Sequence, residues 1–386
     1  MNDSKLVYRE NKKVFIMICL YVASVLYVFP VTRFVGYVAL IILLVFPVAV
    51  VVLRKKVFKD PSLIMAVVVL CVNVGLILRN IAFQSIYYGV LQVLIVTSVL
   101  CFSSLIIREE NVKHFCLTMK HISNVLIVYN IILFVYSKLL NLRYDTNIYA
   151  LRNVLYGMIL IGLYTKECID KKFYKSLLVH AVLLFVLTER TMSLGFLTIG
   201  FFYWILPKVN TRRKYTFVFF VYVIILLLIP FIYVNLFHSS YAVQLNAFIS
   251  EYTGKNLFSG RQIIWYEAIE QIKENILWGN GMGSYFFSYT GKQMSVHNVY
   301  LYFALQGGIV NLGVILGFFF SVYQKMYKNR NTYYGRLGIS ILLGIMLLAD
   351  FGMILFANDI LYSVLLWTAV GIGQIKIIPY KYEMSK

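Results

Sequence analysis

Twelve long apolar segments constrain the fold of this 386-residue chain more than any other feature of its sequence. Each approaches the roughly 20 residues with which a helix crosses about 30 Å of hydrocarbon. A composition of 61% hydrophobic and 13% charged residues leaves too few polar groups for a soluble domain. The sequence therefore predicts an all-α integral membrane protein with about twelve transmembrane spans, at residues 14–30, 34–53, 62–78, 81–107, 122–140, 148–165, 176–188, 191–207, 215–234, 298–322, 337–356 and 359–375.

The first span resembles a signal peptide, because Lys5 to Lys13 precede an apolar run. It ends in Phe29-Pro30 without a small-residue cleavage site, and we therefore expect it to remain as the first helix.

Charge asymmetry orients the spans, since Lys and Arg stay preferentially on the cytoplasmic side. With the N-terminus inside, 26 of the 36 Lys and Arg residues fall in segments assigned to the cytoplasm. Both termini are then cytoplasmic. The formal net charge of +20 is mostly a topology signal, and it indicates no nucleic-acid partner.

The stretch from Ser176 to Pro207 admits either one long helix or two short ones that meet near Arg190. A single pass would invert every later segment and erase the charge asymmetry, so two passes are preferred. The first of them has only about 13 residues, and Arg190 then lies below the outer surface. An Arg at that depth either faces a wet cavity or an anionic ligand, or extends its side chain to the outer headgroups.

This topology divides the chain into nine transmembrane helices (1–234), one large extracytoplasmic loop (235–297) and three further helices (298–386). Within the loop, Ser259 and Gln262 have the spacing of a capping box. An amphipathic helix should follow to about Trp278, lying on the membrane surface or on the helix bundle, with Gly279 as its C-terminal stop. Its apolar positions are Ile264, Trp265, Ala268, Ile269, Ile272 and Ile276.

Arg261 stands in the first turn of this loop helix, where the helix dipole favours an anion. A guanidinium at this position is explained either by a bound phosphate, which Arg grips with two hydrogen bonds, or by pairing with a lipid phosphate.

The run Gly279-Asn280-Gly281-Met282-Gly283 superficially resembles a nucleotide-binding fingerprint, but no strand precedes it and the spacing is wrong. We interpret it as a flexible turn that returns the chain to the bundle.

His297 and Asn298 lie where the loop enters the tenth span. A histidine has the pKa to accept a proton near neutral pH, although an isolated interfacial histidine is often structural. His238 is the other histidine expected on the outer side. The five cysteines lie outside the loop and indicate neither a disulfide nor a thiolate metal site.

Four of these features occur in an order that resembles a known family: Thr188-Glu189-Arg190, Ser259-Gly260-Arg261 followed by Trp265, the glycine run, and His297-Asn298. The chain is similar to the superfamily of O-antigen ligases and Wzy-type repeat-unit polymerases. The motifs cover roughly residues 188–310. Glu189 replaces a common Ser, and Trp278 replaces a Pro often found before the glycine turn.

The resemblance implies a GT-C-like fold and transfer of glycan from undecaprenyl pyrophosphate at the outer face of a bacterial cytoplasmic membrane. It implies that Arg190 and Arg261 hold the pyrophosphate and that His297 activates the acceptor hydroxyl, with Asn298, Ser259 and Gly281 in supporting positions. No cofactor is expected. No metal is expected either, since the loop lacks a carboxylate cluster suited to Mg²⁺.

The preferred function is a polysaccharide polymerase whose donor and acceptor are both oligosaccharides linked to undecaprenyl pyrophosphate. Its other expected partners are membrane lipid, a flippase and a chain-length regulator. A ligase that moves finished polymer to a different acceptor shares the donor site, and acceptor contacts are expected in the poorly patterned loop residues Tyr241 to Tyr252. A flippase or other transporter, or a non-catalytic scaffold, is a rival that has no need of His297.

Overall fold

The computed structural model describes residues 30–53, 61–108, 190–253, 256–258, 260–283, 286–287, 293–351 and 360–378, with a few single positions between residues 16 and 182. The predicted spans at 14–30, 122–140, 148–165 and 176–188 lie largely or wholly outside these residues. The helical architecture is confirmed for the described part of the chain.

Eight described helices coincide with predicted apolar spans to within a few residues at most ends. They are α1 (Arg33–Leu53), α2 (Pro61–Arg79), α3 (Phe83–Cys101), α4 (Arg190–Ile205), α5 (Arg212–Phe237), α8 (Val299–Met326), α9 (Tyr333–Leu348) and α10 (Ile360–Ile372). Two more belong to the large loop, namely α6 (Ala242–Thr253) and α7 (Arg261–Glu274).

Single 3-10 turns and four short strands complete the described elements. The turns are Pro30–Thr32, Phe102–Ser104, Leu206–Lys208 and Tyr327–Asn329. Strand β1 (Ile106–Arg108) pairs in parallel with β4 (Lys376–Ile378), and β2 (Phe286–Phe287) pairs antiparallel with β3 (Gln293–Met294).

Three of the described helical segments are long and apolar enough to cross a membrane: Arg33–Val50, Arg212–Phe237 and Val299–Asn329. Three shorter apolar helices, Ile64–Arg79, Ser85–Cys101 and Tyr333–Leu348, pack beside them. Large apolar side chains such as Phe217 and Ile224 are more than half exposed, as expected where a helix faces lipid.

Contacts between helices define two ends of the bundle. At one end Lys325 donates to the Leu100 carbonyl, and Tyr215 donates to the Tyr323 carbonyl. At the other end Asn298 contacts Asp350, and α7 packs on α5 and α8. We call the first the basic end and the second the loop end.

Helices α3 and α4 both run from the loop end to the basic end. Ser85, near the start of α3, contacts Met282 of the loop, whereas Leu100 lies at the basic end. Helix α4 has this direction because Gly195, near its start, lies against Leu348 at the loop end of α9. Two separate passes over residues 176–207 predict this direction for α4, and a single pass predicts the opposite one.

Helix α8 is broken inside its apolar region, at Gly307 (φ −135°, ψ 21°) and Gly308 (φ 62°, ψ −162°). The carbonyls of Leu305 and Gln306 accept hydrogen bonds from Asn280 and Gly281 of the loop. Ile309 in turn donates to the Ile276 carbonyl. Backbone groups freed by a helix break must find partners in an apolar environment, and the loop supplies them.

Candidate active site

Helix α7 is held on the bundle by Trp265, which is fully buried between α5, α8 and the end of α9. Its ring centroid lies 5.2 Å from that of Tyr233 and 6.2 Å from that of Phe351. Ala268, one turn later on the same face, is also fully buried. The predicted apolar face of the loop helix therefore packs on the bundle, the second of the two locations that the sequence allowed.

The predicted ends of this helix are wrong in two details. Gly260 (φ 88°), not Ser259, is the N-cap residue, and as a glycine it has no side chain with which to cap the helix. The buried Oε1 of Gln262 has no hydrogen-bond partner among the described residues, so Gln262 does not form a capping-box bond with any of them. Ser259 itself lies outside the described residues. The helix ends at Glu274, because Asn275 leaves the helical region (φ −142°, ψ 54°) and its side chain donates to the Gly279 carbonyl at 2.7 Å.

The glycine run forms a turn whose three glycines all have positive φ, at 59°, 100° and 74° for Gly279, Gly281 and Gly283. A Cβ at Gly279 would lie 2.5 Å from the backbone of Gly307, so the turn packs directly on the broken helix α8. Gly281 donates to the Gln306 carbonyl at 2.7 Å. These contacts give the turn a packing role against α8.

The residues before Arg261 also fold back on the bundle. The Tyr233 hydroxyl donates to the Leu257 carbonyl at 2.8 Å, and Asn246 of α6 accepts from the Leu257 N–H at 2.8 Å. Most of Tyr241–Tyr252, for which no secondary structure was predicted, forms α6 within the large loop. Three of its large apolar side chains, Val243, Phe248 and Tyr252, are more than half exposed.

His297 lies in the short segment between β3 and α8, with its backbone in the left-handed region (φ 52°). A non-glycine residue adopts this conformation rarely, and such outliers concentrate at functional sites. The side chain is solvent-accessible, while its neighbour Val296 is buried and accepts a hydrogen bond from the Trp265 indole at 3.0 Å. The imidazole therefore stands at the surface of a rigidly held segment.

Asn298 fixes the other side of His297. Its Oδ1 accepts from the Leu301 N–H at 2.9 Å and so caps α8, while its Nδ2 donates to Asp350 at the carbonyl (3.1 Å) and at Oδ1 (2.9 Å). Both residues are fully buried. Sequence reasoning did not include Asp350 among the site residues. The signal that it overlooked is a lone acid in an apolar run, which needs a buried polar partner.

Arg261 and His297 act on each other electrostatically. Desolvation by the surrounding protein lowers the pKa of His297, and repulsion from the Arg261 guanidinium lowers it further. The guanidinium carbon also lies 6.0 Å from the centre of the Phe351 ring. An unprotonated imidazole beside a fixed positive charge is suited to accept a proton next to a bound anion.

Arg190 begins α4, which packs antiparallel against α9. A Cβ at Gly195 would meet the Leu348 side chain, and one at Gly344 would meet Ile199. Arg190 precedes Gly195 by five residues, or about 7.5 Å of helix rise, in the direction of Asp350. Its backbone therefore lies at the loop end with Arg261 and His297, while its side chain lies outside the described residues.

Within the described residues no group of three or more His, Cys, Asp or Glu side chains could hold a metal ion. Among the described residues, the polar groups around His297 include its own imidazole, the Arg261 guanidinium and the buried Asn298–Asp350 pair. This set can bind an anion and accept a proton.

Residues 176–316 match a family model described as O-antigen ligase. The match covers a little over a third of the chain and contains Arg190, Arg261 and His297. No curated protein matches the chain.

Proposed function

Because residues 176–316 carry the O-antigen ligase family region of a helical membrane protein, we propose that this chain is a polysaccharide repeat-unit polymerase. It transfers a glycan from undecaprenyl pyrophosphate to the terminal sugar of another lipid-linked unit. The proposal depends on one observation: the hydrogen bond from the Trp265 indole to the Val296 carbonyl at 3.0 Å holds the helix of Arg261 against the segment of His297 at the loop end of the bundle.

In the proposed reaction the acceptor hydroxyl oxygen attacks the anomeric carbon of the donor sugar. The bond from that carbon to the pyrophosphate oxygen breaks, and the hydroxyl proton passes to His297. Arg261 and Arg190 stabilise the negative charge that develops on the departing pyrophosphate. Attack opposite the leaving group inverts the anomeric centre. A positioned base of this kind contributes about 10²- to 10⁴-fold.

The polar supports of this site have distinct roles in the proposal. Asn298 orients the His297 segment through Asp350, and Gly281 lets the loop pack against α8. Ser259 precedes the Gly260 turn that brings Arg261 to the bundle. The chemistry uses neither a cofactor nor a metal, since the donor carries its own leaving group and no ATP is present outside the cytoplasm.

The loop end is assigned to the extracytoplasmic side of a bacterial cytoplasmic membrane, with both chain termini in the cytoplasm. This assignment agrees with the charges of the described helix ends, because Lys208, Arg212, Lys325 and Arg330 lie at the basic end. A flippase that delivers the lipid-linked units and a chain-length regulator are the proposed partners.

A ligase is the second candidate, favoured by the description of the matching family. The two functions differ in the acceptor. We expect purified protein given only a lipid-linked repeat unit to produce a ladder of longer products. A protein that elongates nothing until a different acceptor is added is a ligase.

The role of His297 is tested by replacing it with Ala and with Gly. Both variants should lose the ladder, and His297→Gly should also be the more stable of the two, because glycine removes a left-handed strain of roughly 1 kcal/mol. The matched control is His238→Ala, which removes the exposed histidine that caps the end of α5 and packs on Tyr266. Products of normal length from the His297→Ala variant would show that His297 has no catalytic role.

The proposed binding of pyrophosphate by two guanidiniums, called the pyrophosphate clamp below, is tested by Arg190→Lys and Arg261→Lys. Lysine keeps the charge but cannot form the planar two-point grip, so both variants should lose most of their polymerase activity. Full activity in both would eliminate the clamp and leave the role of His297 untouched.

A further inference from the structure

A second feature at the loop end is an apolar cavity of about 510 Å³ that lies away from His297. It opens between α2, the broken part of α8 and the segment that follows α7. Its apolar wall consists of Cys71, Val72, Gly75, Leu76 and Val310.

The rim of the cavity is polar and aromatic. The exposed guanidinium of Arg79 donates from Nη1 to the Trp278 carbonyl at 2.8 Å, and among the described residues its other N–H donors have no acceptor. Arg79 forms no ion pair with any residue that the structure describes. The Trp278 side chain is 60% exposed, and the Asn275 side chain also lines the rim. A cation and an interfacial tryptophan above an apolar wall suit a lipid with an anionic head.

The cavity and Arg261 stand at opposite ends of α7. That helix has 14 residues, and the rim residue Asn275 directly follows its last residue. At 1.5 Å per residue, Asn275 lies about 20 Å from Arg261. One pyrophosphate cannot contact both Arg79 and Arg261, so the cavity is a separate site.

We propose that this cavity binds the lipid carrier of the acceptor, with the polyprenyl chain against α2 and α8 and the phosphate at Arg79. The proposal rests on the polymerase function, which requires a second lipid-linked substrate. The reacting sugar of that substrate is the one farthest from its lipid. The oligosaccharide of one repeat unit then spans the length of α7, from the phosphate at Arg79 to the hydroxyl at His297.

Gly75 offers a way to fill the cavity without disturbing the fold, because a Cβ there meets no atom within 4 Å. Gly75→Leu places an apolar side chain in the space that the polyprenyl chain would occupy. Gly200→Leu is the matched control, since it adds the same side chain at an exposed, equally open position on α4.

Binding is measured without any reaction, using a photoreactive polyprenyl monophosphate on the full-length protein and mapping the labelled peptides. We expect labelling of the α2 peptide that contains Cys71, reduced about tenfold in Gly75→Leu and unchanged in Gly200→Leu. Arg79→Gln should reduce labelling by the phosphate probe to the level of the corresponding polyprenol, and inorganic phosphate should not compete. Equal labelling of Gly75→Leu and the parent protein would overturn the proposal.

Polymer ladders then separate this proposal from the polymerase proposal. His297→Ala should lose the ladder and keep the labelling of α2, whereas Gly75→Leu should lose the ladder together with most of the labelling. A full ladder from Gly75→Leu overturns the acceptor site and leaves the polymerase function standing. A parent protein that labels at α2 but elongates nothing overturns the polymerase function, and the acceptor assignment with it.

Discussion

The indole Nε1 of Trp265 donates a hydrogen bond to the carbonyl of Val296 at 3.0 Å, across 31 positions of sequence. Arg261 precedes Trp265 by one helical turn, and His297 directly follows Val296. This bond therefore joins the two segments that carry the proposed phosphate-binding and proton-accepting groups. Its burial protects it from competing water.

Trp265→Phe should keep most of the ring packing and remove only the hydrogen bond. The loss leaves the buried Val296 carbonyl unpaired at a cost of about 1 kcal/mol, and it loosens the spacing of Arg261 and His297. We expect polymerase activity to fall about tenfold with little change in expression. Trp367→Phe, at a fully buried tryptophan of α10, is the control for replacing a buried indole away from the loop end. An equal loss of activity in both variants would show that the bond to Val296 has no specific role.

Asn298→Ala should lower both stability and activity, because it removes the cap of α8 and the bonds to Asp350 together. Losing a helix cap alone costs about 1 kcal/mol. Thr332→Ala provides that comparison, since the Thr332 side chain caps α9 by accepting from the Gly335 N–H at 3.1 Å. Thermal unfolding should shift in both variants, whereas turnover should fall only in Asn298→Ala. Full turnover in Asn298→Ala would exclude a positioning role.

The lowered pKa of His297 predicts the direction of its pH dependence. The base is active when unprotonated, so activity should be complete at neutral pH and should decline only below the ordinary histidine pKa of about 6.5. Arg261→Gln removes part of the repulsion and should raise the pKa of His297. NMR titration of the imidazole measures this shift without requiring activity. A pKa that does not change in Arg261→Gln would show that the two charges do not interact.

Gly308→Ala should destabilise the protein strongly, because Gly308 has a φ of 62° and a Cβ there would overlap the Leu277 backbone. Left-handed strain and displacement of the loop together cost on the order of 2–3 kcal/mol. Gly313→Ala, at an open position of the same helix, should be neutral or slightly stabilising. Detergent-solubilised yield and thermal unfolding of the two variants provide the measurement, and similar values for both would contradict this packing.

Several features of the fold follow from local sequence. The spans at 34–53 and 62–78 correspond closely to α1 and α2, because hydropathy over about 20 residues is itself the physical requirement for crossing a bilayer. The buried face of α7 was also predictable, since Trp265 and Ala268 recur at helical spacing. The N-cap was not, because the left-handed turn at Gly260 is set by the way the preceding segment packs on Tyr233.

The sequence alone determined that this chain is a helical membrane protein, and the order of its charged motifs resembles the O-antigen ligase family whose model matches residues 176–316. Only the tertiary structure decided which groups meet. The contact between Asn298 and Asp350 spans 52 positions of sequence. The backbone carbonyls freed by the break of α8 at Gly307 accept hydrogen bonds from the large loop, and sequence periodicity does not reveal this pairing. Hydropathy acts on each segment separately, whereas a site depends on side chains from segments that become neighbours only when the bundle packs.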